Sequence, residues 1–266
     1  MKTRGCNALT VLFERNTNEP YNELIGPMNR LGKICAIIIF FISGGALAQT
    51  LEKPNETVTG EELFVVCSFC HGENAQGSRR RDGPALAGLP AWYLELQMQN
   101  YTDGIRGTHP EDIPGQIMHY STGMLRNDFT IKSLAEYISK LEPGVPMTRD
   151  AMRERPYIWD STYSEIELGV TPNLEAGAQT YGAVCSACHG PDGAGNEALG
   201  TASLVYFSER YLARQLKYFR NGIRGSDPRD IRGMQMAAIS NVLSTEQTIA
   251  DVAAHIVSLR PAGEQK

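Results

Sequence analysis

The amino-acid sequence predicts an all-α fold built from two tandem copies of one small helical domain, and three observations carry that prediction. The chain matches itself when displaced by 118 residues, the signature of an internal repeat. Apolar residues recur at helical spacing in both copies, as in Ile131, Leu134, Ala135, Ile138 and Leu141. No segment carries the apolar/polar alternation of a half-buried strand.

The chain opens on residues that do not belong to either copy. Arg30 and Lys33 precede the apolar run from Ile34 to Leu47, and Ala46-Leu47-Ala48 stands before Gln49. That order, basic then apolar then small, predicts an export signal over residues 1–48. Its 14-residue apolar run is too short to cross a bilayer core of about 30 Å. Met28 begins a complete signal by itself, so Met1 to Pro27 reads as an over-extended start or as a polar leader. The first domain is expected over 49–141 and the second over 172–266. Between them, 142–171 holds Pro143, Pro146 and Pro156 but also Tyr157, Trp159 and Tyr163. A disordered linker is poor in aromatics, so this one is expected to be ordered and packed on the domains.

Each copy is expected to contain three helices. Thr59 and Glu62 have the spacing of a capping box ahead of Leu63 to Cys70, and Thr171-Pro172 offers an N-cap and a first-turn proline in the second copy. The middle helices run from about Ala91 to Thr102 and from Glu209 to Arg220. The last helices run from about Thr130 to Leu141 and from about Thr245 to Leu259, the latter behind a Ser244/Gln247 box. The displaced match is dense here: Tyr93-Leu94 falls on Tyr211-Leu212, Gln97 on Gln215, and Gly104-Ile105-Arg106-Gly107 on Gly222-Ile223-Arg224-Gly225.

The 266 residues carry 25 basic and 30 acidic side chains. Loss of residues 1–48 would take five basic and three acidic groups, leaving 218 residues with a net charge of about −7. Nucleic acid demands a basic footprint, so that class of partner is excluded. Four cysteines remain after Cys6 and Cys35 leave with the leader, and in an exported chain an even count would suggest disulfides.

Their spacing points elsewhere. Both pairs read Cys-x-x-Cys-His: Cys67, Cys70 and His71, then Cys185, Cys188 and His189. On a helical turn the residues at i, i+3 and i+4 share a face. The motif thus presents two thiols to the two vinyl groups of one porphyrin and one imidazole to its iron. A zinc site would pool four ligands in one place, and a dithiol redox motif would sit in a βαβ setting. Here each pair has its own histidine in its own copy, which predicts two covalently bound haem c groups.

The sixth iron ligand separates carriers from enzymes. Candidate methionines are Met98, Met118, Met124, Met234 and Met236, any of which could equally be packing. Only Met118 and Met236 superpose in the repeat, each 51 residues after its first cysteine. They are the expected axial ligands, with His71 and His189 opposite; Met234 is the main competitor. The histidines at 109, 119 and 255 fall on Asp227, Ala237 and Tyr137, so none is repeated and bis-histidine ligation is disfavoured. Arg106 and Arg224 are expected either on haem propionates, which suit a planar guanidinium, or in the contact between domains.

With these motifs together, the chain resembles the dihaem class I cytochromes c of the cytochrome c4 kind over nearly all of residues 57–260. The resemblance rests on Cys-x-x-Cys-His-Gly, on Tyr-Leu-x-x-Gln in the middle helix, and on Gly-Ile-Arg-Gly ahead of the methionine. It implies two cytochrome c domains in pseudo-twofold contact, haem edges close enough for fast exchange, and the periplasm of a Gram-negative bacterium. It also implies a proline carbonyl accepting a hydrogen bond from each proximal imidazole. Pro84 fits that place, but Ala202 stands there in the second copy, which raises the expectation of a different loop and unequal potentials.

The function implied is electron carriage without catalysis. Electrons would pass from a quinol-oxidising complex or a dehydrogenase to a terminal oxidase or reductase, such as a haem-copper oxidase. Membrane association would be peripheral, through those partners. The alternatives are a dedicated cytochrome subunit of a dehydrogenase or reductase complex and a dihaem cytochrome c peroxidase.

Overall fold

The computed structural model describes residues 58–125, 127–143 and 169–260. The export signal expected over 1–48 and the aromatic part of the linker lie outside these residues. Among the described residues, regular structure is helical, and the only β pairing is two isolated bridges, Ser78 with Gly83 and Asn196 with Thr201.

In the first copy α1 spans Gly60–His71, α2 Ala91–Thr102, α3 Ile113–Thr122 and α4 Asp128–Ile138, with a 3₁₀ turn at Arg79–Arg81. In the second, α5 is Leu174–Thr180 and α6 is Ser186–His189. The π-helical segment Tyr181–Cys185 joins them, and a 3₁₀ turn follows at Glu197–Leu199. Then come α7 (Glu209–Arg220), α8 (Ile231–Ser240) and α9 (Glu246–Ser258). The middle helices have the bounds the sequence predicts.

Each copy has a fourth helix that apolar periodicity does not announce. α3 and α8 begin on Asp112 and Asp230, whose carboxylates accept hydrogen bonds from Gly115 N (2.9 Å) and Gly233 N (2.8 Å). That capping satisfies backbone donors left open at a helix start. The expectation of three helices per copy is therefore corrected to four.

Two cap assignments also change. The Thr59/Glu62 box forms as read. In the second copy the N-cap is Asn173 rather than Thr171, its side chain accepting from Glu175 N and Ala176 N. The last helix is capped by Thr245 with Thr248, not by Ser244 with Gln247. Gln247 instead donates to Thr171 O and Asp251 Oδ1 (2.9 and 2.7 Å). A glutamine that can reach a neighbouring strand of chain is worth more there than at its own helix start.

The core of each copy forms where the motif helix crosses the last helix. A Cβ on Gly60 would lie 2.2 Å from Ser133 O, and one on Gly177 2.1 Å from Asp251 O. Only glycine permits backbones this close. Beside the crossings, Phe64 packs on Tyr137 with ring centroids 5.7 Å apart, and Tyr181 on His255 at 5.4 Å. Leu94, Met98, Ile131, Leu134 and Ile138 complete the first core; Leu212, Leu216, Ile249, Val252 and Ile256 take the same places in the second.

These pairings expose a register change. Gly60 and Phe64 correspond to Gly177 and Tyr181, a stride of 117, whereas Cys67 and Cys185 keep the stride of 118. The second copy has one extra residue between its crossing glycine and its first cysteine, and the π-helical segment Tyr181–Cys185 absorbs it. A π-bulge is the usual way a helix takes in one residue without unwinding.

Overpacking a tight crossing costs about 1–3 kcal/mol. Gly60→Ala and Gly177→Ala are each expected to lower unfolding free energy by that amount, read from denaturant unfolding of the haem-loaded protein.

Candidate haem sites

α1 brings Cys67, Cys70 and His71 to one end of the first copy, and the π segment with α6 does the same for Cys185, Cys188 and His189. All four cysteines are free thiols and half-buried. Burial pushes Cys67 and Cys185 up to about 11. Both imidazoles are buried, and burial lowers their pKa, which keeps the ring neutral with a lone pair to give.

Each ring is held by its other nitrogen. His71 Nδ1 donates to Pro84 O at 2.8 Å and His189 Nδ1 to Ala202 O at 2.9 Å. A carbonyl can only accept, so the proton sits on Nδ1 and Nε2 is the nitrogen left for iron. The bond expected at Pro84 is thus present in both copies although the second lacks the proline. What differs is the residue before it: Gly83 lies against Cys70 O, while Thr201 Oγ1 donates to Cys188 O at 2.6 Å. The loop is tied to the motif helix by contact in one copy and by a hydrogen bond in the other.

Met118 and Met236 sit at the same turn of α3 and α8, both partly buried. Of the other methionines, Met98 is core, and Met124 and Met234 are exposed at 62% and 45%. The unrepeated histidines have other partners. His119 Nδ1 donates to Tyr101 O, His109 Nδ1 accepts from Glu111 N, and His255 packs on Tyr181.

Arg106 and Arg224 meet across the contact between the copies. Arg106 donates to Gln97 Oε1 in its own copy (2.5 Å) and to Gln215 Oε1 (3.0 Å) and Tyr211 Oη (3.2 Å) in the other. Arg224 mirrors it, donating to Gln215 Oε1 (2.6 Å) and across to Gln97 Oε1 (3.0 Å). The guanidinium groups lie over the rings of Tyr101 and Phe219, themselves repeat partners, at 4.5 and 4.4 Å. Around this pair, Asp82 binds Arg214 and Arg210, and Tyr218 Oη donates to Glu111 O.

Sequence reasoning identified the arginines but not their partners Gln97, Gln215 and Tyr211, although these residues also recur at the stride of the repeat. None of the described carboxylates pairs with Arg106 or Arg224. Buried cations need compensating anions. The Nε–H groups of both arginines and Trp92 Nε1–H are buried without a protein acceptor. Orphaned Nε–H donors on two cations are what carboxylate-bearing propionates would satisfy, so thiols, imidazoles and guanidinium groups all fit a haem in each copy.

Fold and donor set together define a dihaem c-type cytochrome. The chain belongs to the cytochrome c family: the model of the family described as "Cytochrome c" matches residues 57–142 and again 174–260. It is 29% identical over 208 residues to cytochrome c4 of Azotobacter vinelandii, covering 77% of this chain and 89% of that one. It is 26% identical over 223 residues to the thiosulfate dehydrogenase electron acceptor of Stutzerimonas stutzeri (strain A1501), covering 80% and 93%. Among solved structures, reduced recombinant cytochrome c4 from Pseudomonas stutzeri superposes with a TM-score of 0.55 at 24% identity, covering 76% of this chain and 97% of that chain, a likeness of fold. The protein is cytochrome c4-like, with two covalently bound haem c groups, and it transfers electrons.

Because the imidazole bond needs only a carbonyl, Ala202→Pro is expected to leave the redox titration of the protein superimposable on that of the wild type. Arg106→Leu removes three hydrogen bonds from a charged donor, a kind worth about 1.5–3 kcal/mol, while Gln97 Oε1 and Gln215 Oε1 keep Arg224 as donor. A fall of that order in the free energy of unfolding is expected, measured with denaturant on the haem-loaded protein.

Proposed function

We propose that this protein is a non-enzymatic periplasmic carrier in a Gram-negative bacterium, exported by residues 1–48. It would take electrons from a quinol-oxidising complex or a dehydrogenase and give them to a terminal acceptor such as a haem-copper oxidase. The two domains are proposed over 49–141 and 172–266. In this reading Cys67 and Cys70 hold one haem and Cys185 and Cys188 the other, with His71 and His189 as proximal ligands and Met118 and Met236 as distal ones. Arg106 and Arg224 serve both the domain contact and the propionates. Bound haem supplies a one-electron couple at iron. The chain's own part is to fix each imidazole through Pro84 O or Ala202 O, to close the opposite side with a thioether, and to keep the two domains in one orientation through the arginine–glutamine contact.

The observation that carries the proposal is the recurrence of the whole donor set, imidazole and methionine, at the same places in both copies. Closed coordination on both sides suits outer-sphere transfer, which needs only a weak docking contact. The relative named as a thiosulfate dehydrogenase electron acceptor supports a dehydrogenase as donor. Another relative, 30% identical over 166 residues, is named as a cbb3-type cytochrome c oxidase subunit of Rubrivivax gelatinosus and supports an oxidase as acceptor. Among the described residues no helix is long and apolar enough to cross a membrane.

The oxidised protein is expected to show a weak far-red methionine-to-iron band. Met118→Ala and Met236→Ala should each remove about half of it, and the double variant all of it. A band untouched by either change, or rapid peroxide turnover with a high-spin haem in the wild type, would replace the proposal with a differently ligated protein or a peroxidase.

A further inference from the structure

The two copies agree at their arginine–glutamine contact and disagree on their outer faces. On α1, Val65, Val66 and Phe69 are 68, 64 and 66% exposed. Taking 100° per residue, they lie on the side of the helix opposite Gly60, Phe64, Cys67 and His71. A haem on the motif face would therefore leave them uncovered. Three large apolar side chains exposed side by side in a charged protein mark an interaction surface.

Charge accompanies the patch. The 3₁₀ turn Arg79–Arg81 follows the motif, and Arg81 stacks its guanidinium on the exposed Phe69 ring, 3.1 Å from the centroid. Arg80 and Arg81 are exposed. The adjacent carboxylate does not neutralise them, because Asp82 is engaged by Arg214 and Arg210 of the other copy. The interdomain ion pairs thereby leave Arg80 and Arg81 facing outward without Asp82 as counter-ion.

The second copy lacks this patch on its motif helix; its large exposed apolar residues lie elsewhere, among them Leu199 in the turn and Ile231 and Met234 on α8. Its outer helix face offers Gly182, Ala183, Val184 and Ala187, with Ala187 in the place of Phe69. Its turn reads Glu197-Ala198-Leu199 where the first reads Arg79-Arg80-Arg81. Between the motif glycine and the proximal carbonyl, residues 72–83 sum to +1 and residues 190–201 to −2. Arg232, whose guanidinium lies over Gly200, only partly offsets that acidity.

We propose that Val65, Val66, Phe69, Arg80 and Arg81 form a docking surface for an acidic redox protein, one whose carboxylates ring an apolar patch over its own cofactor. The first copy is then the port for that partner, and the second copy faces a different one. The inference rests on the carrier reading above. Phe69 precedes Cys70, which stands about 100° around the helix from it, so a partner seated here lies across the motif helix from the haem. Oppositely charged surfaces speed encounter in a salt-dependent way, while the apolar centre supplies contact area.

The test is stopped-flow reduction of the oxidised, haem-loaded full chain by two probes: the hydroquinone of a flavodoxin, an acidic protein, and hexaammineruthenium(II), a small cation. Arg80→Gln/Arg81→Gln should slow reduction by the flavodoxin about fivefold at low ionic strength, with the difference vanishing at high salt. Phe69→Ala should slow it by about threefold at every ionic strength. The ruthenium rate should fall with neither. Equal flavodoxin rates in wild type and the arginine variant would overturn the docking proposal while leaving carriage standing. Failure of the ruthenium complex to reduce the wild type would instead overturn carriage itself. Two other occupants are open to direct measurement. A wild-type dimer in sedimentation that the arginine variant dissolves would assign the patch to a second copy of this chain. Arginine-dependent pelleting with phosphatidylglycerol vesicles would assign it to a lipid surface. Either result would overturn the proposal.

Discussion

The approach of the motif helix to the last helix is the constraint on which each half of the molecule depends. Gly60 and Gly177 let backbone meet backbone where any side chain would collide with a carbonyl of the facing helix. That contact fixes the direction of the motif helix, and through it the direction in which two thiols and an imidazole leave the helix surface. Phe64 and Tyr181 then lock the rotation by packing on the residue one turn beyond the crossing. The extra residue in the second copy shows how strongly the crossing is held. Rather than shift Gly177 along Asp251, the helix opens into a π turn between the glycine and Cys185.

The contact between the copies poses a different problem, since it buries positive charge. Arg106 and Arg224 bring two cations together with only glutamine carbonyls and a tyrosine hydroxyl to receive them, and each carbonyl accepts from both arginines. Neutral acceptors satisfy the geometry of a guanidinium but not its charge. The propionates proposed for the two haems would supply the missing anions. Gly107 and Gly225 make the arrangement possible: both have φ near 80°, and a Cβ at either would lie 2.2 Å from the carbonyl of Gly115 or Gly233. The turn that delivers each arginine to the contact is pinned to the start of the helix that carries the methionine.

Much of this was legible in the sequence, because repetition is a stronger signal than periodicity. The middle helices and the Thr59/Glu62 cap came out at their bounds, and the paired methionines and arginines were visible as coincidences at one stride. α3 and α8 were not, since Pro114 and Gly115 are poor helix formers and Ile113, Ile117 and Ile231 face outward, which erases the apolar stripe. The signal that could have found them is the repeated aspartate, an N-cap with glycine three residues on. The caps of the second copy were misread for a related reason: Thr171-Pro172 and Ser244/Gln247 satisfy local rules, but Asp251 accepts from both Asn173 N and Gln247 Nε2 and reassigns those residues to a tertiary contact. A one-residue insertion within a helix is likewise invisible to an ungapped comparison that is anchored at the cysteines.

The largest differences of charge and side-chain size between the copies fall on the outer face of the motif helix and the turn that follows. Crossing glycine, imidazole carbonyl, the turn that carries the methionine and the arginine–glutamine contact all recur. The outer face of the motif helix and the turn that follows point away from the imidazole, so they can differ in size and sign of charge without disturbing it. Asp82 links the two regimes. Held by Arg214 and Arg210 of the other copy, it belongs to the contact between the copies although it does not recur, Gly200 standing in its place, and by being held there it determines what charge its neighbours show to solvent. A duplicated carrier built this way keeps two similar redox centres while presenting two dissimilar faces, and direction of flow can then be set by which partner each face admits rather than by any difference in the chemistry of the sites.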